Sequence, residues 1–158
     1  MGFTMETEGF GHFGVGADLS IFGDMTFEEI GKKALTEVMP DMESSTKAAL
    51  RLSVKHSGES ELVNSVKCYE PTMTKDNEGL RLVCQPTGKS TSGNRYHTTS
   101  RGKPVTKAVT NNDKAFWLEY GVAGRQAAHP WKDRALADAE AKVMPKIERA
   151  IEKELGAE

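Results

Sequence analysis

Few residues in this sequence combine the types and spacing that chemistry asks for. Gly9-Phe10-Gly11-His12-Phe13-Gly14 has the form GxGxxG, in which glycines let the backbone close on a pyrophosphate at a helix N-terminus. That use needs a buried strand just before the glycines and a helix directly after them. Residues 1–8 read as no strand, and no helical pattern follows at once, so a dinucleotide site is rejected. Gly31-Lys32-Lys33 lacks the spacing of a phosphate-binding loop. Cys68 and Cys84 read as packing thiols in a reducing compartment, ahead of a bridge or a metal pair, and His12, His56, His97 and His129 show no ligand spacing with them. No Ser/His/Asp or Cys/His set stands out. The expectation is a protein that is not an enzyme and carries no cofactor or metal.

What remains is charge. From Glu78 to Asp113 there is no acid between, yet Arg81, Lys89, Arg95, Arg101, Lys103 and Lys107 fall there. Within this segment the stretch 86–104 has no apolar period and reads as one long loop, a length that is usually functional or disordered. A positive finger of this kind meets either nucleic-acid phosphates or an acidic protein surface. Lys89, Arg95, Arg101, Lys103 and Lys107 are its candidate contact residues. Only Tyr96 and His97 stand beside them as stacking groups, and the net charge of the chain is −2, so composition alone asks for no polyanionic partner.

The elements that must hold this finger follow from periodicity. At 158 residues, 37% hydrophobic and 28% charged, the chain suits one α+β domain with a modest core. No run approaches the roughly 20 apolar residues of a membrane span, and the N-terminus has no secretory pattern. Residues 1–24 hold six glycines among Phe3, Phe10, Phe13 and Phe22, with four acids and no Lys or Arg. Glycine loses much entropy on ordering, and the pattern presents no single face. This segment reads as an arm ordered against a neighbouring chain, with residues 25–158 as the domain proper.

A helix is expected from Thr26, with a Thr26/Glu29 capping box and a Met25/Ile30 staple. Its apolar face runs Phe27, Ile30, Ala34, Val38, Met42, Ser45, Ala49 and Leu52, kinked or broken at Pro40. Leu62, Val63, Val66, Cys68 and Tyr69 read as one extended run, and Leu80, Leu82 and Cys84 as a strand after a hairpin loop at 74–78. Val105, Ala108 and Val109 suggest another strand. A closing helix, about Pro130 to Leu155, has the face Ala135, Leu136, Ala139, Val143, Ile147, Ile151 and Leu155, with a bend at Pro145.

Between these elements, Lys114–Leu136 carries both tryptophans of the chain. Phe116, Trp117, Leu118 and Tyr120 form an apolar burst, capped by Asp113 and ended by Gly121. Pro130 suits the first position of the next helix, and Trp131 is expected to fold back onto the burst. Most simply this is an aromatic cluster closing a core. Glu119, between Leu118 and Tyr120, should need Arg125, Arg134 or a backbone donor.

The order of arm, helix, strands with a basic loop, aromatic turn and helix resembles the head–tail connector (neck, tail-completion) family of long-tailed bacteriophages, typified by the gene-ten-type product of lambda-like phages. The residues carrying the resemblance are Ser57-Gly58-Glu59-Ser60-Glu61-Leu62-Val63-Asn64-Ser65-Val66, Lys114-Ala115-Phe116-Trp117-Leu118-Glu119-Tyr120-Gly121 and Ala128-His129-Pro130-Trp131. It covers about residues 26–155. The chain departs from the family pattern at Ser57 and Ser60, where members often have Pro and Thr, and at Trp131, where Phe is usual.

The resemblance implies a small antiparallel sheet packed with the two helices, in a subunit of a closed ring, six-fold by the usual symmetry of such tails. It also implies a virion structural role between head and tail, assembled in the host cytoplasm, beside other neck proteins such as adaptor, stopper, terminator or tail-tube subunits, with DNA in the channel. A tail terminator is the alternative within the same class. A nucleic-acid-binding module using residues 81–107 is the alternative outside it.

Overall fold

The structure is a computed structural model that describes residues 3–8, 12–18, 25–54, 61–75, 79–91 and 93–154, the first two segments and 25–27 as backbone. Two helices and one sheet make the body. Helix α1 (Met25–Ser53) and helix α4 (Lys132–Glu154) pack against each other and lie on a sheet centred on strand β5 (Gly79–Pro86). Ion pairs run the two helices antiparallel: Lys33 meets Glu154 at 3.3 Å and Lys146 meets Asp41 at 2.7 Å. These partly exposed pairs set register more than stability. The stability comes from one continuous core that includes Leu35, Val38, Met42, Leu50, Leu80, Leu82, Trp131, Val143 and Ile147.

Both helices are amphipathic as the periodicity demands. In α4 the buried apolar positions are Ala135, Ala139, Val143, Ile147 and Ile151, with Leu136 partly buried and Leu155 outside the described residues. In α1 the expected face holds through Ala49 but fails at Leu52, which is 76% exposed, while Leu50 and Ser53 are buried in its place. The spacing itself holds to one face of the helix; the last turn instead packs by its other side, where Ser53 donates to Pro130 O at 3.3 Å and accepts from Arg134. Pro40 breaks nothing: it sits exposed inside an unbroken α1, where its missing N–H costs least. Pro145 is likewise inside α4. The expected Thr26 cap and Phe27 side chain lie outside the described residues.

β5 alternates as the sequence suggested, with Leu80, Leu82 and Cys84 buried. Its neighbours differ from expectation. Glu61–Asn64 is a short helix, α2, not the start of a strand, and the strand that follows is only Val66–Cys68 (β3). Leu62 and Val63 are both buried; adjacent apolar residues of this kind fit a helical turn against the core better than an alternating strand. β4 (Thr72–Met73) continues along the same edge of β5.

The other edge of β5 takes the N-terminal segment. Phe3–Glu8 (β1) and His12–Asp18 (β2) pair antiparallel, and β2 pairs with β5 so that Phe13, Val15 and Ala17 stand opposite Cys84, Leu82 and Leu80. This corrects the expectation that residues 1–8 are no strand: the segment pairs with β5 of its own chain. The reason is that a ladder is made by backbone groups, which glycine supplies as well as any residue. Of the four phenylalanines assigned to an inter-subunit arm, Phe3 and Phe13 fall on these strands, while Phe10, Phe22 and all four side chains lie outside the described residues.

The cysteines are a further correction. Cys68 and Cys84 form a disulfide, their Cα atoms 4.0 Å apart. Register explains it: they are direct cross-strand partners. Tyr69 N donates to Val83 O at 2.9 Å one step along, so the cysteines occupy a pair without backbone hydrogen bonds, where antiparallel strands come closest. Sixteen residues separate them, and closing a loop of that size is worth about 3 kcal/mol of unfolding free energy on the chain-entropy account. Cys68→Ser/Cys84→Ser should lose about that much in urea unfolding, and a reductant should lower the wild type to the same midpoint while leaving the variant unmoved.

Candidate interaction surface

The stretch expected to be a featureless loop is instead a β-hairpin. β6 (Arg95–Ser100) pairs with β7 (Lys103–Ala108) through the two-residue turn Arg101-Gly102. Both turn residues have positive φ, 50° and 76°, the backbone of a type I′ turn, whose twist matches that of the strands. Nearly every residue of the hairpin is exposed. Pro104 has no N–H to donate and is tolerated because β7 pairs on one side only.

A two-stranded ribbon is marginal alone, so its root must be held. Tyr96 is the main anchor. Its ring meets Trp117 edge-on at 5.6 Å, and its hydroxyl reaches Asp113 Oδ1 at 3.3 Å. Burial, reinforced by the Asp113 carboxylate, pushes the Tyr96 phenol above its ordinary value, keeping it a donor at neutral pH. Asp113 in turn completes a capping box with Thr110, the N-cap of helix α3 (Asn111–Tyr120). Asp113 was expected to cap α3 itself; it sits three residues inside, as the reciprocal partner. Val109 N donates to Asn94 O, and Ser90 N to Val109 O, each at 3.0 Å.

A second tie joins the root to α2. Glu61 accepts from Thr91 N at 2.7 Å and Thr91 Oγ1 at 3.0 Å, and it pairs with Lys114 at 3.3 Å. The Thr91 N–H, more than the lysine, holds the Glu61 carboxyl below its ordinary value.

Between the hairpin root, α3 and the loop after it lies an open cleft of about 480 Å³, to which Arg95, Lys114 and Arg125 contribute cations and Tyr96, Trp117 and Val122 an apolar floor. No carboxylate lines it. Set beside protein-family models, curated proteins and solved structures, the chain matches none of them. Among the described residues no three His, Cys, Asp or Glu side chains gather as a metal site, and no helix is long and apolar enough to cross a membrane.

The expected contact residues all lie on this projection, spread along it rather than clustered. Lys89 bridges to Thr110 at the base, Arg95 begins β6 opposite Ala108, Arg101 occupies the turn, Lys103 faces Ser100 and Lys107 faces Tyr96. By strand alternation Lys103 and Lys107 share the Tyr96 side of the ribbon and Arg95 takes the other. Tyr96 as the anchor and Lys114 and Arg125 as cleft cations were not singled out in the sequence. The Thr110-x-x-Asp113 pattern was a legible capping box.

The aromatic turn is divided rather than gathered into one cluster. Trp131 is fully buried and donates from Nε1 to Ala115 O at 3.0 Å. Phe116 pairs with Tyr120 at 4.8 Å, but Tyr120 is 56% exposed. Glu119 finds backbone donors instead of Arg125 or Arg134: Oε2 accepts from Trp131 N at 2.8 Å and Lys132 N at 3.1 Å. It therefore caps α4 from outside, meeting orphan N–H groups with a negative charge. Arg134 donates to Ser53 Oγ instead. Pro130 stands two residues before α4 rather than inside its first turn. Gly121 ends α3 at φ 76°, and a Cβ there would lie 2.8 Å from Gln126 O, so the tight turn admits only glycine.

Glu119→Ala should destabilise the fold by about 1–2 kcal/mol in urea unfolding, with Glu119→Gln losing less because its amide oxygen still accepts. For Glu61 the depressed carboxyl contributes stability above its unfolded value, near 4.5, and that contribution disappears as pH falls through the lower folded value. Glu61→Gln should remove this component of acid destabilisation, seen as a shallower loss of thermal stability below about pH 5.

Proposed function

We propose that this chain is a structural subunit of a bacteriophage neck, assembling into a ring that joins a filled head to a tail. The observation that carries the reading is the hairpin: a basic, acid-free ribbon that projects from an α+β body and contributes nothing to the core. A ring subunit needs such a part to reach the next layer or the channel. The motifs that resemble connector proteins support it further, because they fall where the fold is locked. Lys114–Gly121 forms α3 and its cap, and Pro130-Trp131 leads into α4. The residues 61–66 form the turn beside the hairpin root. A tail-terminator position is the same proposal one layer along.

Recognition of DNA as the main activity is the weaker reading. Single-stranded binding uses aromatic faces as platforms, and of the ribbon's two stacking groups Tyr96 is held at its root by Trp117 and Asp113 while His97 hydrogen-bonds Thr106 across the ribbon. Alanine at Arg95, Arg101 and Lys103 together should leave the circular dichroism and melting temperature near those of the wild type, since none of the three packs in the core. In a phage dependent on this copy, filled heads and tails should accumulate unjoined. Normal infectious yield would refute the proposal.

A further inference from the structure

The hairpin's cations have no carboxylate partner within the described chain, and α4 carries carboxylates in the same position. Asp133, Glu140, Glu148 and Glu152 are exposed, and none forms an ion pair among the described residues; the α4 acids that do are Asp138 with Lys142 and Glu154 with Lys33. At about 100° per residue these four fall within roughly 120° of the helix circumference. Ala137, Ala141 and Met144 lie among them, and Arg134, the one cation in this arc among the described residues, is turned to Ser53 Oγ.

We infer that the basic hairpin of one copy docks along the acidic side of α4 in a second copy, with Arg95 and Arg125 in the cleft receiving carboxylates at the root. This rests on the ring reading above and names the contact that builds the ring. Lengths agree: Lys107 to Arg101, with Lys103 and Lys107 on one side of the ribbon, spans about 20 Å of strand, and Glu140 to Glu152 about 18 Å of helix. Charge agrees as well. From Gly79 to Asn112 there is no acid, and the two carboxylates nearest the root, Glu61 and Asp113, are engaged with Thr91 and Lys114 and with Thr110 and Tyr96. The two surfaces are different patches of one chain, so pairing them is heterologous and closes only by rotation into a ring.

The test is a charge exchange read by sedimentation velocity, with circular dichroism confirming folding. Arg95→Glu/Arg101→Glu/Lys103→Glu/Lys107→Glu should dissociate the assembly, raising the apparent dissociation constant about a hundredfold or more through like-charge contact. Glu140→Lys/Glu148→Lys/Glu152→Lys should do the same. An equimolar mixture of the two variants should assemble again, because each hairpin then meets an opposite α4. Wild-type assembly should also weaken with added salt. If the wild type assembles and neither variant changes its mass, the contact is wrong while the ring stands. A wild type that stays monomeric at every concentration overturns both. Loss of duplex DNA binding in the hairpin variant, with its mass unchanged, would assign the hairpin to nucleic acid and overturn the contact.

Discussion

The arrangement turns on one carboxylate. Glu119, at the end of α3, accepts from the first two backbone N–H groups leading into α4, while Trp131 donates a hydrogen bond from its indole to the carbonyl of Ala115. All three bonds are donated by the segment leading into α4 and accepted by α3, at points one helical turn apart, so they fix how the two segments meet. Gly121 makes the intervening turn possible by taking a backbone conformation closed to side chains. Because α4 is half of the helical layer and α3 holds the hairpin root, the projection inherits its orientation from this corner.

From that corner the molecule divides by energetics. The α1, α4 and β5 layer is closed by apolar burial, with Leu35, Val38, Leu80, Leu82 and Trp131 out of water. The hairpin is held the other way, by a ring contact, a phenol on a carboxylate and backbone bonds at its base. Beyond that root most of its residues are exposed. Its cations are spread along the ribbon and do not converge on one point.

Much of the layer was legible from periodicity. The buried faces of α4 and of β5 follow directly from spacing of three and four and from alternation. The errors have one cause each. Leu52 keeps the helical period yet stays exposed, because the last turn of α1 packs by Leu50 and Ser53 against the segment leading into α4. Residues 61–64 were read as strand because adjacent apolar residues suit either a buried strand or a turn of helix. The N-terminal strands were passed over because glycine content outweighed the alternation of Phe3, Met5 and Thr7 with Thr4, Glu6 and Glu8. The hairpin was hidden by polarity: with no face to bury, its strands carry no hydrophobic period, and only Arg101-Gly102 marks the turn.

The sequence by itself determined the two long helices, the central strand, the lack of acid along the finger and the Gly121 break, because each depends on residues within a few positions of one another. Tertiary structure alone decided what depends on register and approach. Cys68 meets Cys84 because two strands align them, and Glu119 meets α4 instead of an arginine because a turn delivers backbone donors first. Tyr96 becomes the root of the hairpin because α3 brings Trp117 and Asp113 beneath it. Which of several chemically suitable partners a side chain takes is a question of distance, and distance across a fold is not written in local order.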